Sequence, residues 1–105
     1  MKNTLLFLVL ITTIEQICLA QLSFSGIFEN NMVLQQQENV AIWGKADPEV
    51  EVVLEASWLS SGKKVFSEKK GNWKFNIDTP KASFKPHFLK VKSKEDVALV
   101  ENILI

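Results

Sequence analysis

From residue 40 onward the chain runs in short stretches in which apolar and polar side chains alternate. Val50, Val52, Leu54, Ala56 and Trp58 fall on one side of an extended backbone and Glu51, Val53, Glu55 and Ser57 on the other, the clearest period-two signal present. Trp73, Phe75 and Ile77 alternate in the same way with Lys74, Asn76 and Asp78, and Leu89 and Val91 with Lys90 and Lys92 inside His87–Ser93. In Val40–Ala46, the residues Val40, Ile42 and Ala46 share a face opposite Trp43. Met32–Gln35 and Lys63–Glu68 read as shorter, weaker strands, the second carrying Val65 and Phe66. Val97–Ile105 is apolar on both faces, the pattern of a strand covered on both sides.

Turn chemistry separates these runs at Asn30-Asn31, Asp47-Pro48, Ser60-Ser61-Gly62, Lys69-Lys70-Gly71-Asn72, Thr79-Pro80 and Lys94-Glu95-Asp96. A loop over Lys81–Pro86 precedes His87. About seven short strands at this spacing, with no helical period beyond residue 20, predict an all-β fold: an antiparallel, immunoglobulin-like β-sandwich. Its inner layer is expected to hold Ile42, Val52, Leu54, Trp73, Phe75, Leu89 and Val91. No repeat or low-complexity segment interrupts the pattern.

Residues 1–20 depart from it. Lys2 supplies a positive start, Thr4–Ile14 an apolar stretch, and Cys18-Leu19-Ala20 the residues ahead of a cleavage point, so the segment reads as a signal peptide and Gln21 as the mature terminus. A membrane span needs about 20 apolar residues, and Glu15 and Gln16 interrupt this run too early. Glu15-Gln16-Ile17 also lacks the small residues of a lipoprotein processing site. The expected product is exported, periplasmic or secreted, with the sandwich occupying residues 21–105 and no membrane partner. Cys18 leaves with the peptide, so no disulfide supports the small core. Either that core suffices or the domain leans on a larger body. The apolar end at Val97–Ile105, with no polar cap, suggests the larger body and a chain cut ahead of it.

Charge and chemistry narrow the function mainly by exclusion. Twelve basic residues, all lysine, balance twelve acidic ones, so neither net charge nor arginine recommends a nucleic-acid partner. No Gly-x-Ser-x-Gly or Gly-Asp-Ser sequence marks a nucleophile. His87 is the single histidine and is expected on the surface or in loop packing, with no serine or aspartate arranged near it. Glu51 and Glu55 share a strand face, but four residues of strand hold them roughly 13 Å apart, beyond the reach of a glycosidase pair. No ligand cluster of metal-binding spacing is present. The expectation is therefore no catalytic, cofactor-binding or metal residue in this chain. Of the three tryptophans, Trp73 belongs to the core. Trp43 lies on the nominally outer face, where covering by a neighbouring domain is favoured over stacking on a sugar ring.

One stretch is distinctive beyond its strand pattern. Phe28, Asn31-Met32-Val33-Leu34-Gln35, Val40, Trp43-Gly44 and Ala46-Asp47-Pro48 closely resemble the opening of bacterial sialate O-acetylesterases, whose N-terminal sandwich carries F-x-D/N-N-M-V-L-Q followed by V-x-I/V-W-G-x-A-D-P-G. Gly71-Asn72-Trp73 and Lys81-Ala82 extend the likeness over most of residues 21–105. Glu49 departs from it, standing where that family usually has glycine. The resemblance implies a carbohydrate esterase that removes O-acetyl groups from sialic acids. It also implies that the nucleophilic serine sits in a segment of the form G-E-V-W-L-C-S-G-Q-S-N-M, directly after a strand like Glu101–Ile105, which this chain does not reach.

Two functions remain open at this point. One is an accessory sandwich beside the hydrolase domain of such an exported esterase; the other is a stand-alone carbohydrate-binding or structural sandwich. The codons after Ile105 discriminate them: Gly-Glu-Val-Trp indicates the first, a stop the second.

Overall fold

A computed structural model describes residues 21–105. The signal-peptide reading and Cys18 lie outside the described residues. Among the described residues seven strands form: β1 (Ser23–Phe24), β2 (Asn39–Lys45), β3 (Glu51–Ala56), β4 (Lys63–Phe66), β5 (Asn72–Asp78), β6 (His87–Ser93) and β7 (Asp96–Ile103). They pair antiparallel in two sheets, β1-β2-β5 facing β4-β3-β6-β7, an immunoglobulin-like sandwich. The hairpins β3-β4 and β6-β7 stay within one sheet, whereas the chain changes sheet after β2, β4 and β5.

The apolar alternation determines which side of each strand is buried. Ile42, Val52, Leu54, Ile77, Leu89 and Val91 are fully enclosed, and Trp73 and Phe75 nearly so, because a buried aliphatic side chain gains about 1.5–3 kcal/mol over an exposed one. Trp73 touches Phe24 and Phe75 edge-on at centroid distances of 5.6 and 5.8 Å, and its indole N–H donates to the Lys45 carbonyl at 2.9 Å. Gly44 lies beneath it. A Cβ at Gly44 would collide with the Ser23 carbonyl of β1 and come within 2.6 Å of the Trp73 ring, so only glycine lets β1 close this sheet edge.

The end of the chain is resolved by a bulge. Leu89 pairs with Val100 but His87 pairs with Ile103, so Glu101 and Asn102 together oppose a single residue, with Asn102 at φ 56°. The extra residue lets Val100, Ile103 and Ile105 all point inward despite their uneven spacing. The outer apolar face expected for Val97–Ile105 thereby reduces to Val97, Leu99 and Leu104, all exposed. Met32–Gln35, expected as a strand, is instead an extended segment with one parallel bridge, Val33 to Leu104. Leu34 N–H donates to the Leu104 carbonyl, Leu104 N–H to the Met32 carbonyl, and Asn31 N–H to the Glu101 carbonyl at 2.9, 3.1 and 3.1 Å. The segment covers that part of the β7 edge and is too short to do more.

Two turns bracket β2, and they are built alike. In Asp47-Pro48-Glu49-Val50 the Ser67 hydroxyl donates to the Asp47 carbonyl at 2.6 Å and accepts from the Val50 N–H at 2.9 Å. In Gln35-Gln36-Gln37-Glu38 the Thr79 hydroxyl donates to the Gln35 carbonyl at 2.6 Å and accepts from the Glu38 N–H at 3.0 Å. Each hydroxyl thus replaces the direct carbonyl-to-amide bond that would close the turn. Each turn also places its third residue in the left-handed region, Glu49 at φ 53° and Gln37 at φ 51°.

Glycine suits that conformation, which accounts physically for the glycine of the resembled pattern at the position of Glu49. Glu49→Gly is therefore expected to raise unfolding free energy by roughly 0.5–1 kcal/mol, whereas Glu49→Ala, which keeps its Cβ, is not. Urea melts of the two variants check this: a midpoint that rises for alanine as much as for glycine refutes the backbone explanation.

Candidate functional site

The residues behind the resemblance mostly have architectural positions. Phe28 meets Trp43 edge-on at 4.8 Å, and Asn31 takes a left-handed φ of 71°. Gln35 and Asp47 present the carbonyls that Thr79 and Ser67 hold, Gly44 admits β1, and Ala46 is buried. Gly71 has φ 85°, and a Cβ there would strike the Ala46 carbonyl. The stretch specifies a sandwich; Trp43 alone among these residues is a large side chain standing open on a sheet face, 40% exposed.

His87 has a neighbour that sequence reasoning missed. The expectation of no serine near it is corrected: Ser57 Oγ lies 2.8 Å from His87 Nδ1, because antiparallel pairing of β3 with β6 brings the end of one strand to the start of the other. Thirty positions of separation hid this from any local pattern. The hydroxyl also accepts the Phe88 N–H at 3.1 Å, and Ser57 N–H donates to the Phe88 carbonyl at 3.1 Å. Trp58, expected to continue the inward row of β3, is half-buried against the core just past the strand end, where it also packs edge-on against the His87 ring at 5.3 Å and donates its indole N–H to the Asp78 carbonyl at 2.8 Å. A nucleophilic relay needs a third group orienting the imidazole from its far nitrogen. His87 Nε2 is buried without a hydrogen-bond partner among the described residues. Ser57 and His87 therefore form a hydrogen-bonded pair clamping two strand ends beside a groove of about 360 Å³.

The carboxylates behave as a solvated face. Glu55 pairs with Lys92 across the sheet at 2.9 Å, both side chains being substantially exposed. The hydrogen bond from Lys92, aided by the charges of Lys92 and Lys90, holds the Glu55 carboxyl below the ordinary range against the opposing effect of desolvation. A depressed folded value stabilises above the unfolded pKa and is lost as pH falls through the folded one; solvent screening keeps the effect small. Among the described residues no group of three or more His, Cys, Asp or Glu could hold a metal ion.

The outer face of the β1-β2-β5 sheet is different in character. Trp43 stands opposite Lys74, Ala41 opposite Asn76, and Lys45 opposite Asn72. Two grooves flank the tryptophan, one of about 410 Å³ reaching Ala41, Glu68 and Lys74, the other of about 270 Å³ reaching Ser25 and Lys45; Asn72 lines both. A neighbouring domain was the expected cover for this ring, but the chain's own Phe28 already occupies one side of it.

No family model and no curated protein matches the chain. Its fold is similar to part of a carbohydrate acetylesterase from Xanthomonas citri, with a TM-score of 0.70 and 20% identity over 78% of this chain. The match covers 18% of that acetylesterase, so the chain spans less than a fifth of its length. At this identity the shared property is the β-sandwich.

Proposed function

We propose that this chain is the N-terminal accessory β-sandwich of an exported carbohydrate esterase of the sialate O-acetylesterase type, with the catalytic residues in a hydrolase domain outside it. The observation that carries this reading is the fit of the resembled stretch to its structural duties: left-handed Asn31, the glycine beneath β1, and the hydroxyl-held turn at Asp47-Pro48 all serve one sandwich. The likeness of that sandwich to part of a carbohydrate acetylesterase supports the same reading.

In this reading O-acetylated sialic acid is the substrate of the whole protein, and the hydrolase domain is the partner of the sandwich. That domain supplies a serine to attack the acetyl carbonyl, a histidine to take its proton and backbone donors for the oxyanion. The sandwich contributes a rigid body, with Val97 and Leu99 on the outer side of β7 as the apolar surface for it to rest on. Trp43 on a polar sheet face favours a second reading, a carbohydrate-binding role, which is compatible with the first.

Acetate release tests the proposal. The 105-residue chain should not cleave p-nitrophenyl acetate above the buffer rate, whereas the chain continued through a Gly-Glu-Val-Trp segment and a complete hydrolase domain should release acetate from O-acetylated sialic acid. Cleavage by the short chain that disappears in both Ser57→Ala and His87→Ala would overturn it and make that pair catalytic.

A further inference from the structure

We infer that the outer face of the β1-β2-β5 sheet binds a carboxylate-bearing pyranose, with the sugar ring on Trp43 and its carboxylate at Lys74 and Lys45. The choice of a sugar deepens the carbohydrate reading above and rests on it; the platform itself rests on geometry.

Trp43 is the central side chain of this face. Its ring is pinned rather than loose: Phe28 meets it at 4.8 Å and 84°, Phe28 meets Phe24 at 6.4 Å, and Phe24 meets the core Trp73 at 5.6 Å. A ring fixed in place loses little freedom when a ligand settles on it. It retains 40% exposure and divides two grooves, so a flat apolar surface is offered with depressions on either side. The carbon-bound hydrogens of a pyranose form such an apolar face, while its hydroxyls require donors and acceptors around the rim.

The rim supplies them. Asn72 lines both grooves and can donate and accept, Ser25 lines one, and the Glu68 carboxylate can take hydroxyl hydrogens in the other. Ala41, next outward on β2, is too small to fill the space beside the ring. Preference for a charged sugar comes from the lysines. Lys74 is directly opposite Trp43, and Lys45, two residues along β2 on the same face, is the diagonal neighbour of Lys74, about 7–8 Å from it across the sheet. Both are exposed, and neither is within 4.0 Å of a carboxylate among the described residues. By contrast, Lys92 on the opposite outer face is neutralised by Glu55. Two unpaired ammonium groups beside an exposed indole complement a ligand that carries both an apolar face and one negative charge.

Titration calorimetry of the full chain with methyl β-glucuronide and methyl β-glucoside, which differ only in the carboxylate, tests this. Saturable binding of the glucuronide is expected, with the glucoside weaker by about tenfold and the preference shrinking as salt is raised. Trp43→Ala should weaken glucuronide binding by about tenfold or more, and Lys74→Gln by roughly threefold with the glucoside unaffected. Lys74 is exposed, so the second variant reads the site even if the first folds poorly. Absence of saturable glucuronide binding, equal binding of the two sugars, or an affinity indifferent to Lys74→Gln overturns the inference. Acetate release plays no part in this titration, so failure of the platform and failure of the esterase reading are separately visible.

Discussion

Trp73→Ala should lower the unfolding free energy by about 3–5 kcal/mol, the range for deleting a large aromatic from a packed core. Trp73 is 2% exposed and stacks edge-on with Phe24 and Phe75. Its loss removes apolar burial, both aromatic contacts and the donor to the Lys45 carbonyl, and it leaves Gly44 facing a void where the ring had lain. A domain of this size commonly has only about 5–15 kcal/mol in total, so the variant should approach the point of unfolding at ordinary temperature. Denaturant melts followed by circular dichroism check it. A change under about 1 kcal/mol would mean that the ring does not hold the two sheets together.

Ser67→Ala should cost about 2–4 kcal/mol, more than the loss of one ordinary hydrogen bond. The Ser67 side chain bridges the ends of the Asp47–Val50 turn: its hydroxyl serves the carbonyl of one residue and the amide of the other, and Ser67 is only 4% exposed. Alanine leaves both groups without that partner, at about 1–3 kcal/mol for each group that stays buried and unsatisfied. Thr79→Val tests the sister turn at the other end of β2 in the same way. Because β2 has seven residues, the two turns are roughly 20 Å apart, and the double variant should show additive costs. Clear non-additivity would show the turns acting through β2 as one unit. A cost near zero for either variant would mean that water replaces the hydroxyl freely.

These two residues also show where the sequence was readable and where it was not. Trp73 is legible from its alternation with Phe75 and Ile77, because a strand has only two sides and three apolar residues on one of them leave little choice. Ser67 and Thr79 are small polar residues at strand ends, and nothing local distinguishes a hydroxyl that plugs a distant turn from one in solvent. The departure at Glu49 was visible, but its consequence was not until the left-handed φ was seen.

At the candidate sites the division is similar. Trp43 was identified as an outward aromatic from the opposite placement of Val40, Ile42 and Ala46, and the structure keeps it there. The covering of one side by Phe28, the facing Lys74 and the flanking grooves required the pairing of β2 with β5 and the path of the chain before β2. The Ser57–His87 contact was invisible for the same reason: β3 and β6 are adjacent in space but not in sequence.

By itself, then, the sequence determined the all-β class, the positions of β2 to β7, most of the inward-facing residues and the turns, since all of these follow from side-chain period and local backbone preference, whereas the two-residue β1 is too short to show a period and Met32–Gln35 forms only a bridge. Only the tertiary structure decided which strands share a sheet, how the bulge at Glu101-Asn102 sorts an apolar tail into inner and outer residues, and which polar groups meet. Those outcomes depend on contacts between distant segments, where the free energy of burial and of satisfying buried polar groups is shared among residues that carry no local mark of their partners.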